Sequence, residues 1–254
     1  MRPPEYSRYI RQLISRSYLR SGTGRRQSLL RCHCRVMAKN SLAPQQARSR
    51  ESLRKLLKAA AEVLGQHGVE GTTIPRIAQH AGLTPGAVYR RFPDKDALLE
   101  TVILGILERQ DERLHVALTP EMARQIPLTV FAEQMITNML ISYRASAGLL
   151  RAVRQFVQAR DGTAFYKKAA KLEMRSFQYL MELFLAHRKE IRHRDPQVAV
   201  AFALVTLAST LIELILVDHD LRCWQVVIPK DDQTLKRELL RNFLSYLGVE
   251  PKSG

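Results

Sequence analysis

The sequence predicts an all-α fold. Apolar residues recur at helical spacing through most of residues 48–247, cap-and-proline signals separate one run from the next, and no stretch alternates as a strand would. The chain has 254 residues, of which 46% are hydrophobic, so it can bury a sizeable core. We therefore expect a globular helical protein, either one large domain or a small domain joined to a larger one.

Basic residues dominate the charge, and half of the excess lies near the N-terminus. The formal net charge is +16, which favours nucleic acid, an anionic membrane surface or another acidic partner. Residues 1–36 hold nine Arg and one Glu. This composition predicts a basic, disordered arm over residues 1–46. It also resembles an organelle transit peptide, and Met37 is a candidate true first residue.

The cysteine content indicates a reducing compartment. Cys32, Cys34 and Cys223 are too few to staple a fold of this size. The spacing in Cys32-His33-Cys34 is not that of a zinc site, so we expect surface thiols, no metal and no cofactor. The first 36 residues contain no apolar run of the kind that a secretory signal needs, and we expect a cytoplasmic protein.

The first predicted helix covers residues 48–67. Its apolar residues follow a helical period, and Gly68 comes directly after the last turn, where glycine commonly ends a helix. Thr73 then caps a short second helix that holds Pro75 in its first turn. Gly82 supplies the backbone freedom that a tight turn between two helices requires.

The pattern continues through a third and a fourth helix into the body of the protein. Thr84 and Pro85 repeat the cap and proline, and the third helix is predicted to end near Phe92. Asp94 can cap a fourth helix that runs to about residue 115. Further helices are predicted over residues 121–144, 147–160, 164–189, 196–218 and 232–247, with breaks at Gly148, Gly162, Pro196 and the Ile228-Pro229 segment.

Two short helices joined by a glycine turn are the parts of a helix-turn-helix motif. The second helix of such a motif must bring its N-terminal turn to the edges of bases, so that end has to be slim. Residues 85–87 are small here, while Thr84, Tyr89 and either Arg90 or Arg91 offer polar contacts. The hydroxyl residues would also serve as caps in any helical protein, and Tyr89 could be an ordinary half-buried aromatic.

The segments TTIPRIA (residues 72–78) and AGLTPGAVYRRFPDKDAL (residues 81–98) resemble the head of the TetR family. The resemblance covers about residues 48–107. It implies an N-terminal three-helix helix-turn-helix domain followed by a helical ligand-binding and dimerisation domain. The boundaries we expect are 47–93 for the DNA-binding domain, 94–118 for a connecting helix and 119–250 for the sensor and dimerisation domain.

The resemblance also implies roles for individual residues of the head. The cap of the second helix touches phosphate, the first turn of the third helix faces the major groove, and a Tyr and a Lys clamp phosphates. The DNA-binding residues implied in this way are Thr73, Thr84, Pro85, Gly86, Ala87, Tyr89 and Lys95. Arg90 is added to them as a polar contact offered by the recognition helix itself. Lys95 fits the phosphate role physically, since its ammonium and the N-terminus of the fourth helix both attract an anion. Arg91 departs from the His that is common at this position.

Two body helices are candidates for a dimer interface. The helix over residues 164–189 carries two apolar stripes, one for the core and one for a partner. Residues 198–217 hold a single charge, Glu213, and the resemblance implies that these two helices pair in a dimer. The second stretch is also long enough to span a membrane, but its Thr, Ser and Glu residues would then need partners in lipid, which favours the dimer.

A small-molecule effector is implied by the resemblance but not identified by the sequence. A buried Glu213 would need a cationic or hydrogen-bonding partner, either a neighbouring side chain or the effector itself. Apolar residues of the body could line a cavity or be plain core. The candidate effector-binding residues are Met135, Met139, Tyr143, Phe156, Phe177 and Glu213.

We expect no enzyme, but a homodimeric repressor that leaves a near-palindromic operator in double-stranded DNA when an unknown effector binds. One alternative is an architectural DNA-binding protein that uses the basic arm without an effector. Another is an all-helical metal phosphohydrolase of the HD type, built on Asp218-His219-Asp220 with His193 and Asp231. A lone His-Asp pair arises often by chance, so this enzyme is the weakest of the three interpretations.

Overall fold

The computed structural model describes residues 42–216, 229 and 231–249, with side chains from residue 48 onward. Within these ranges the chain consists of helices and turns and contains no strand, which confirms the all-α prediction. The predictions about Met37, the three cysteines and residues 218–220 lie outside the described residues.

Helix α1 spans Leu42–Gly71 and is the longest helix of the N-terminal head. It begins six residues before the predicted start, so residues 42–46, which composition assigns to a disordered arm, are helical. Gly68 has a left-handed φ of 67° and interrupts the helix where the sequence predicts its end. The helix then adds one further turn before α2 begins.

Helices α2 (Ile74–Ala81), α3 (Pro85–Tyr89) and α4 (Lys95–Ala117) follow with the predicted caps. The Asp94 carboxylate accepts a hydrogen bond from the Ala97 N–H at 2.7 Å at the start of α4. Helix α3 ends three residues before the predicted end at Phe92. The N–H groups of Arg91 and Phe92 both donate to the Val88 carbonyl, at 2.9 and 3.0 Å, and close the chain into a turn there.

The body contains α5 (Pro120–Arg124), α6 (Leu128–Ala145), α7 (Ala147–Gln158), α8 (Ala164–Leu185), α9 (Pro196–Leu211) and α10 (Asp232–Tyr246). A π-helical segment, Ile212–Leu216, continues α9.

Two predicted features of the body are wrong. The single helix over residues 121–144 is divided into α5 and α6, because Pro127 lacks an N–H and cannot continue a helix. Gly148 does not break the chain but lies inside α7. The break falls instead at Ser146, whose φ of −118° and ψ of 17° are not helical. Gly162 does lie in a turn, with a φ of 76°.

Helix α9 and its π-helical continuation form the most apolar segment that the structure describes. Pro196–Leu216 is long enough to cross a membrane and contains an 18-residue window with a mean hydropathy of 2.3. One face packs into the body core through Ala199, Ala203 and Leu207 among others. A helix with one face in a protein core passes the same length and composition test, so the segment is weak evidence for a membrane span.

Three apolar clusters hold the described residues together. The head core is formed by α1, α2, α3 and α4. The body core is formed by α5, α6, α8, α9 and α10. Between them, a third cluster joins α1 and α4 of the head side to α7 and α8 of the body. The buried members of this third cluster are Leu64, Leu99, Ile103, Leu107, Ala152, Val153, Phe156, Val157, Phe165 and Ala169.

Candidate nucleic-acid interface

Helix α3 presents its N-terminal turn to solvent while its middle is anchored in the head core. Thr84, Pro85 and Gly86 are exposed, and Ala87 is half-buried. Val88 is fully buried in the head core. A Cβ built on Gly86 would meet no other atom within 4 Å. The leading end of α3 is therefore both slim and accessible.

The turn between α2 and α3 fixes the direction in which that end points. Gly82 adopts the left-handed region, with φ 67° and ψ 35°, where a side chain would be strained. Its N–H donates to the Gln79 carbonyl at 3.1 Å, and the Leu83 N–H donates to the Ala78 carbonyl at 2.8 Å. Leu83 itself packs against the head core. The predicted glycine turn is present.

Side-chain caps begin both short helices. The Thr73 hydroxyl accepts a hydrogen bond from the Arg76 N–H at 3.4 Å, and the Thr84 hydroxyl accepts one from the Ala87 N–H at 3.3 Å. The cap on Thr73 leaves its side chain exposed. The two threonines therefore have the capping role that any helical protein would give them, and both are accessible.

The polar residues around α3 differ in how firmly they are held. Tyr89 is 54% exposed and Arg90 is exposed, so both can reach outward. The Lys95 ammonium is half-buried and donates to the Val69 carbonyl at 3.3 Å. Lys95 therefore holds the last turn of α1 beside the N-terminus of α4, and its remaining N–H bonds can point elsewhere.

Two further arginines of the head, Arg91 and Arg76, are held by hydrogen bonds to other helices or turns. The Arg91 guanidinium donates to the carbonyl and to the hydroxyl of Ser49, each at 3.2 Å, and ties the turn after α3 to the N-terminal half of α1. The Arg76 guanidinium donates to the Gly71 carbonyl beside the N-terminus of α2. The signal for Arg76 was its place three residues after the Thr73 cap, where an exposed cation adjoins the helix start.

The candidate effector residues do not form one site. Met135, Met139, Tyr143 and Phe177 are half-buried against the body core. Phe156 is fully buried in the cluster between head and body, under the Arg160 guanidinium. Glu213 is exposed in the single chain, so the expectation of a buried carboxylate is wrong there. The charge faces out because the core side of this segment is occupied by Ile215 and Leu216.

A groove between α9 and α10 is lined by none of the six candidate effector residues. Its walls include exposed aromatic rings, Phe202 and Tyr246, which lie 5.2 Å apart between centroids. Thr206, Thr210 and Asn242 add polar groups to an otherwise apolar lining.

The outer residues of the HD-type interpretation have local roles. Asp231 caps α10 and accepts a hydrogen bond from the Thr234 N–H at 2.8 Å. Hydrogen bonds from the Thr234 backbone and side chain lower the pKa of Asp231. His193 bonds the Asp195 carbonyl through Nδ1 at 2.9 Å and lies against the Tyr246 ring. Neither arrangement needs a metal.

An exposed, capped short helix held on a second helix by a glycine turn defines a helix-turn-helix protein. Residues 56–102 match the family model described as bacterial regulatory proteins, tetR family. The N-terminal head of this chain is therefore similar to the head of TetR-family regulators.

A curated relative shows a similarity of the same kind. An uncharacterized HTH-type transcriptional regulator, TtgW of Pseudomonas putida, is 34% identical over 76 residues. That match covers 30% of this chain and 54% of TtgW, so it spans only about half of the relative.

The solved structures extend the similarity of fold to the body. A protein described as a TetR-family transcriptional regulator from Mesorhizobium loti shares 20% identity, with 78% of this chain and 97% of that chain covered and a TM-score of 0.56. The transcriptional regulator FadR from Bacillus subtilis shares 17% identity, with 76% and 98% covered and a TM-score of 0.55.

Proposed function

We propose that this protein is a sequence-specific DNA-binding transcription regulator of the bacterial cytoplasm and that it acts as a repressor. The observation that carries the proposal is the slim, solvent-facing first turn of α3, anchored from behind by the buried Val88. A helix presented in this way can enter the major groove, where each base pair offers a distinct pattern of donors and acceptors.

In this proposal the head residues divide into two groups. Thr84, Pro85, Gly86 and Ala87 approach base edges, and Arg90 can reach either a base or a phosphate. Thr73, Tyr89 and Lys95 hold the flanking backbone. The N-terminus of α4 supports Lys95, because unpaired N–H groups and the helix dipole attract an anion. Arg76 joins the second group because it is exposed beside the start of α2.

We further propose a two-fold homodimer built on α9 and α10, which departs from the pairing of residues 164–189 with α9 that the resemblance implied. The exposed apolar residues of α9 are Val198, Phe202 and Val205, and Tyr246 of α10 lies beside them. On α8 the comparable exposed residue is Met174, while most of its stripes pack against other helices. An exposed apolar stripe on a soluble helix favours a partner helix.

The repressor would be released by a small-molecule effector bound in the body. FadR from Bacillus subtilis, which shares this fold, was crystallised with stearoyl-CoA, so a body of this architecture can hold a ligand. Met135, Met139, Tyr143 and Phe177 remain our candidates for contacts with the effector. We expect the effector to favour a spacing of the heads that does not fit DNA, with a coupling of about 1 to 3 kcal/mol.

Selection of bound duplexes tests the proposal. The full-length protein is incubated with fragmented genomic DNA, and bound fragments are sequenced and measured against random duplex of equal length. We expect enriched fragments to share a near-palindrome and to bind about a thousandfold more tightly than random duplex. Equal affinities would exclude a sequence-specific regulator.

The alternative of an architectural DNA-binding protein is favoured by one observation, the charge of residues 1–36. The same measurement repeated without those residues separates the two functions. An architectural protein would bind every duplex alike and would lose most of its affinity when the arm is removed. A sequence-specific regulator without the arm would keep its ratio of affinity for the selected duplex to affinity for random duplex.

A further inference from the structure

Helices α1 and α7 approach each other most closely at Gly65 and Gly148, where neither residue has a side chain to separate the two backbones. A Cβ built on Gly148 of α7 would lie 2.2 Å from the carbonyl oxygen of Gly65 in α1. In the other direction, a Cβ built on Gly65 would lie 3.3 Å from the Leu149 Cβ. The first distance is far inside van der Waals contact, so no residue other than glycine fits at position 148 unless the two helices separate.

This contact joins the head to the body. Leu56, Ala60 and Val63 of α1 face the head core, while the next residue, Leu64, belongs to the cluster shared with α7. Helix α1 therefore holds the recognition helix on one side and rests on α7 on the other. Because protein interiors are close-packed, a shift of α7 against α1 displaces the head as a unit.

The far end of α7 is fixed to the head side as well. The Arg160 guanidinium follows the last turn of α7 and pairs with the Asp96 carboxylate, in the first turn of α4, at 2.5 Å. The same guanidinium lies 3.3 Å from the centroid of the buried Phe156 ring. The glycine contact and this ion pair therefore lie near opposite ends of α7, and the third apolar cluster packs between them.

We propose that Gly148 is a positioning residue that sets the orientation of the DNA-binding head on the body. This inference rests on the proposed function and names a contact on which that function would depend. The backbone contact between α7 and α1 fixes the separation of the two recognition helices in a dimer. Gly148 is the second residue of α7, and its lack of a side chain is what permits the close approach to the Gly65 carbonyl.

The test is Gly148→Ala in the full-length protein. Two duplexes are used, both derived from the sequence that the wild-type protein selects, one with both half-sites and one with a single half-site. The readout, called the affinity ratio below, is the affinity for the duplex with both half-sites divided by the affinity for the duplex with one half-site. Mere destabilisation lowers the active fraction on both duplexes and leaves this ratio unchanged, whereas a reoriented head binds one half-site normally and fits the pair poorly.

Gly105→Ala is the matched control. Gly105 also lies inside a helix, α4, but an added Cβ would meet only the far end of the flexible Arg109 side chain, at 3.2 Å. We expect Gly148→Ala to lower the affinity ratio about tenfold or to move the preferred half-site spacing, and Gly105→Ala to do neither. An unchanged ratio and spacing in Gly148→Ala, or an equal fall in the control, would overturn the inference.

A second pair of variants decides the matter if Gly148→Ala does not fold. Arg160→Gln removes the ion pair at the other end of α7, and Arg144→Gln removes a comparable pair with Asp232 at 3.0 Å within the body. A fall of the affinity ratio in Arg160→Gln but not in Arg144→Gln supports the inference. The same affinity ratio in both variants contradicts it. If the wild-type protein itself selects no duplex, the proposed function fails and this inference fails with it.

Discussion

Asp111 shows how one buried carboxylate ties the connecting helix α4 to the body. It is 2% exposed, pairs with the Arg175 guanidinium, and accepts a hydrogen bond from the Ser176 hydroxyl at 2.9 Å. His115, one turn further along α4, stacks on Tyr179 of α8 with ring centroids 3.8 Å apart. Charge and hydrogen bonding therefore hold α4 against α8.

Replacing this carboxylate should destabilise the protein in a pH-dependent way. Burial alone would raise the pKa of Asp111, but the hydrogen bonds from Arg175 and Ser176 outweigh it and hold that pKa below its usual value. The carboxylate therefore stabilises the fold above the pKa of the unfolded state, and this contribution is lost as pH falls through the folded-state pKa. We expect Asp111→Asn to lower the free energy of unfolding by about 2 kcal/mol at pH 7.

Urea unfolding at several pH values measures this prediction. The difference between wild type and Asp111→Asn should shrink as the solution becomes acidic. Asp232→Asn is the control, since its ion pair with Arg144 is exposed and should contribute at most about 1 kcal/mol. A difference that is the same at acidic and neutral pH would show that the charge of Asp111 has no stabilising role.

Lys95 carries a second prediction at the residue scale. If its ammonium contacts phosphate, Lys95→Gln should reduce the slope of log affinity against log salt by about 0.9, because one fewer counterion is released. Lys167→Gln, an exposed lysine of α8, should leave the slope unchanged. Binding titrations over a range of salt concentrations give the slopes, and equal slopes for wild type and Lys95→Gln would limit Lys95 to its bond with the Val69 carbonyl.

At the scale of elements, local capping signals were the most informative part of the sequence. Thr73, Thr84 and Asp94 start helices where the sequence predicts them, since a cap and the chain that follows it form one local unit. Gly148 misled the prediction because a helix tolerates glycine when a neighbouring backbone needs the space. That neighbour, Gly65, is distant in the sequence and could not be inferred locally.

The roles of single site residues were less predictable than the elements. The exposure of Tyr89 and of the first turn of α3 follows from the motif. The hydrogen bonds from Lys95 to Val69 and from Arg91 to Ser49 depend on how α1 packs beside α3 and α4. That packing is tertiary information, which local sequence does not supply. The same holds for Phe156 and Glu213, because helical spacing places a residue on a face without telling which neighbour covers that face.

At the scale of the whole molecule, the dimer is the feature that two-fold recognition of DNA requires. Phe202 is 56% exposed at the centre of the apolar stripe on α9. We expect Phe202→Glu to weaken dimerisation about a hundredfold, since the interface would then bury an unpaired charge. Analytical ultracentrifugation over a concentration series measures the change.

Ile141 provides a control for this substitution. It is 62% exposed on α6, so Ile141→Glu introduces the same charge at an apolar residue of similar accessibility outside the proposed interface. Its dimerisation should match that of the wild type. Equal dimerisation of the Phe202→Glu protein would move the interface away from α9, and equal weakening by both variants would point to a general effect of charge.

The most direct test of the whole account is the affinity of Gly86→Leu for the duplex that the wild-type protein selects. Position 86 has open space around it, so the variant should fold with an unchanged melting temperature. Its side chain would stand at the leading end of α3, where the account places base edges. We expect at least about a tenfold loss of affinity. Unchanged affinity in the folded variant would contradict the claim that this end of α3 enters the groove.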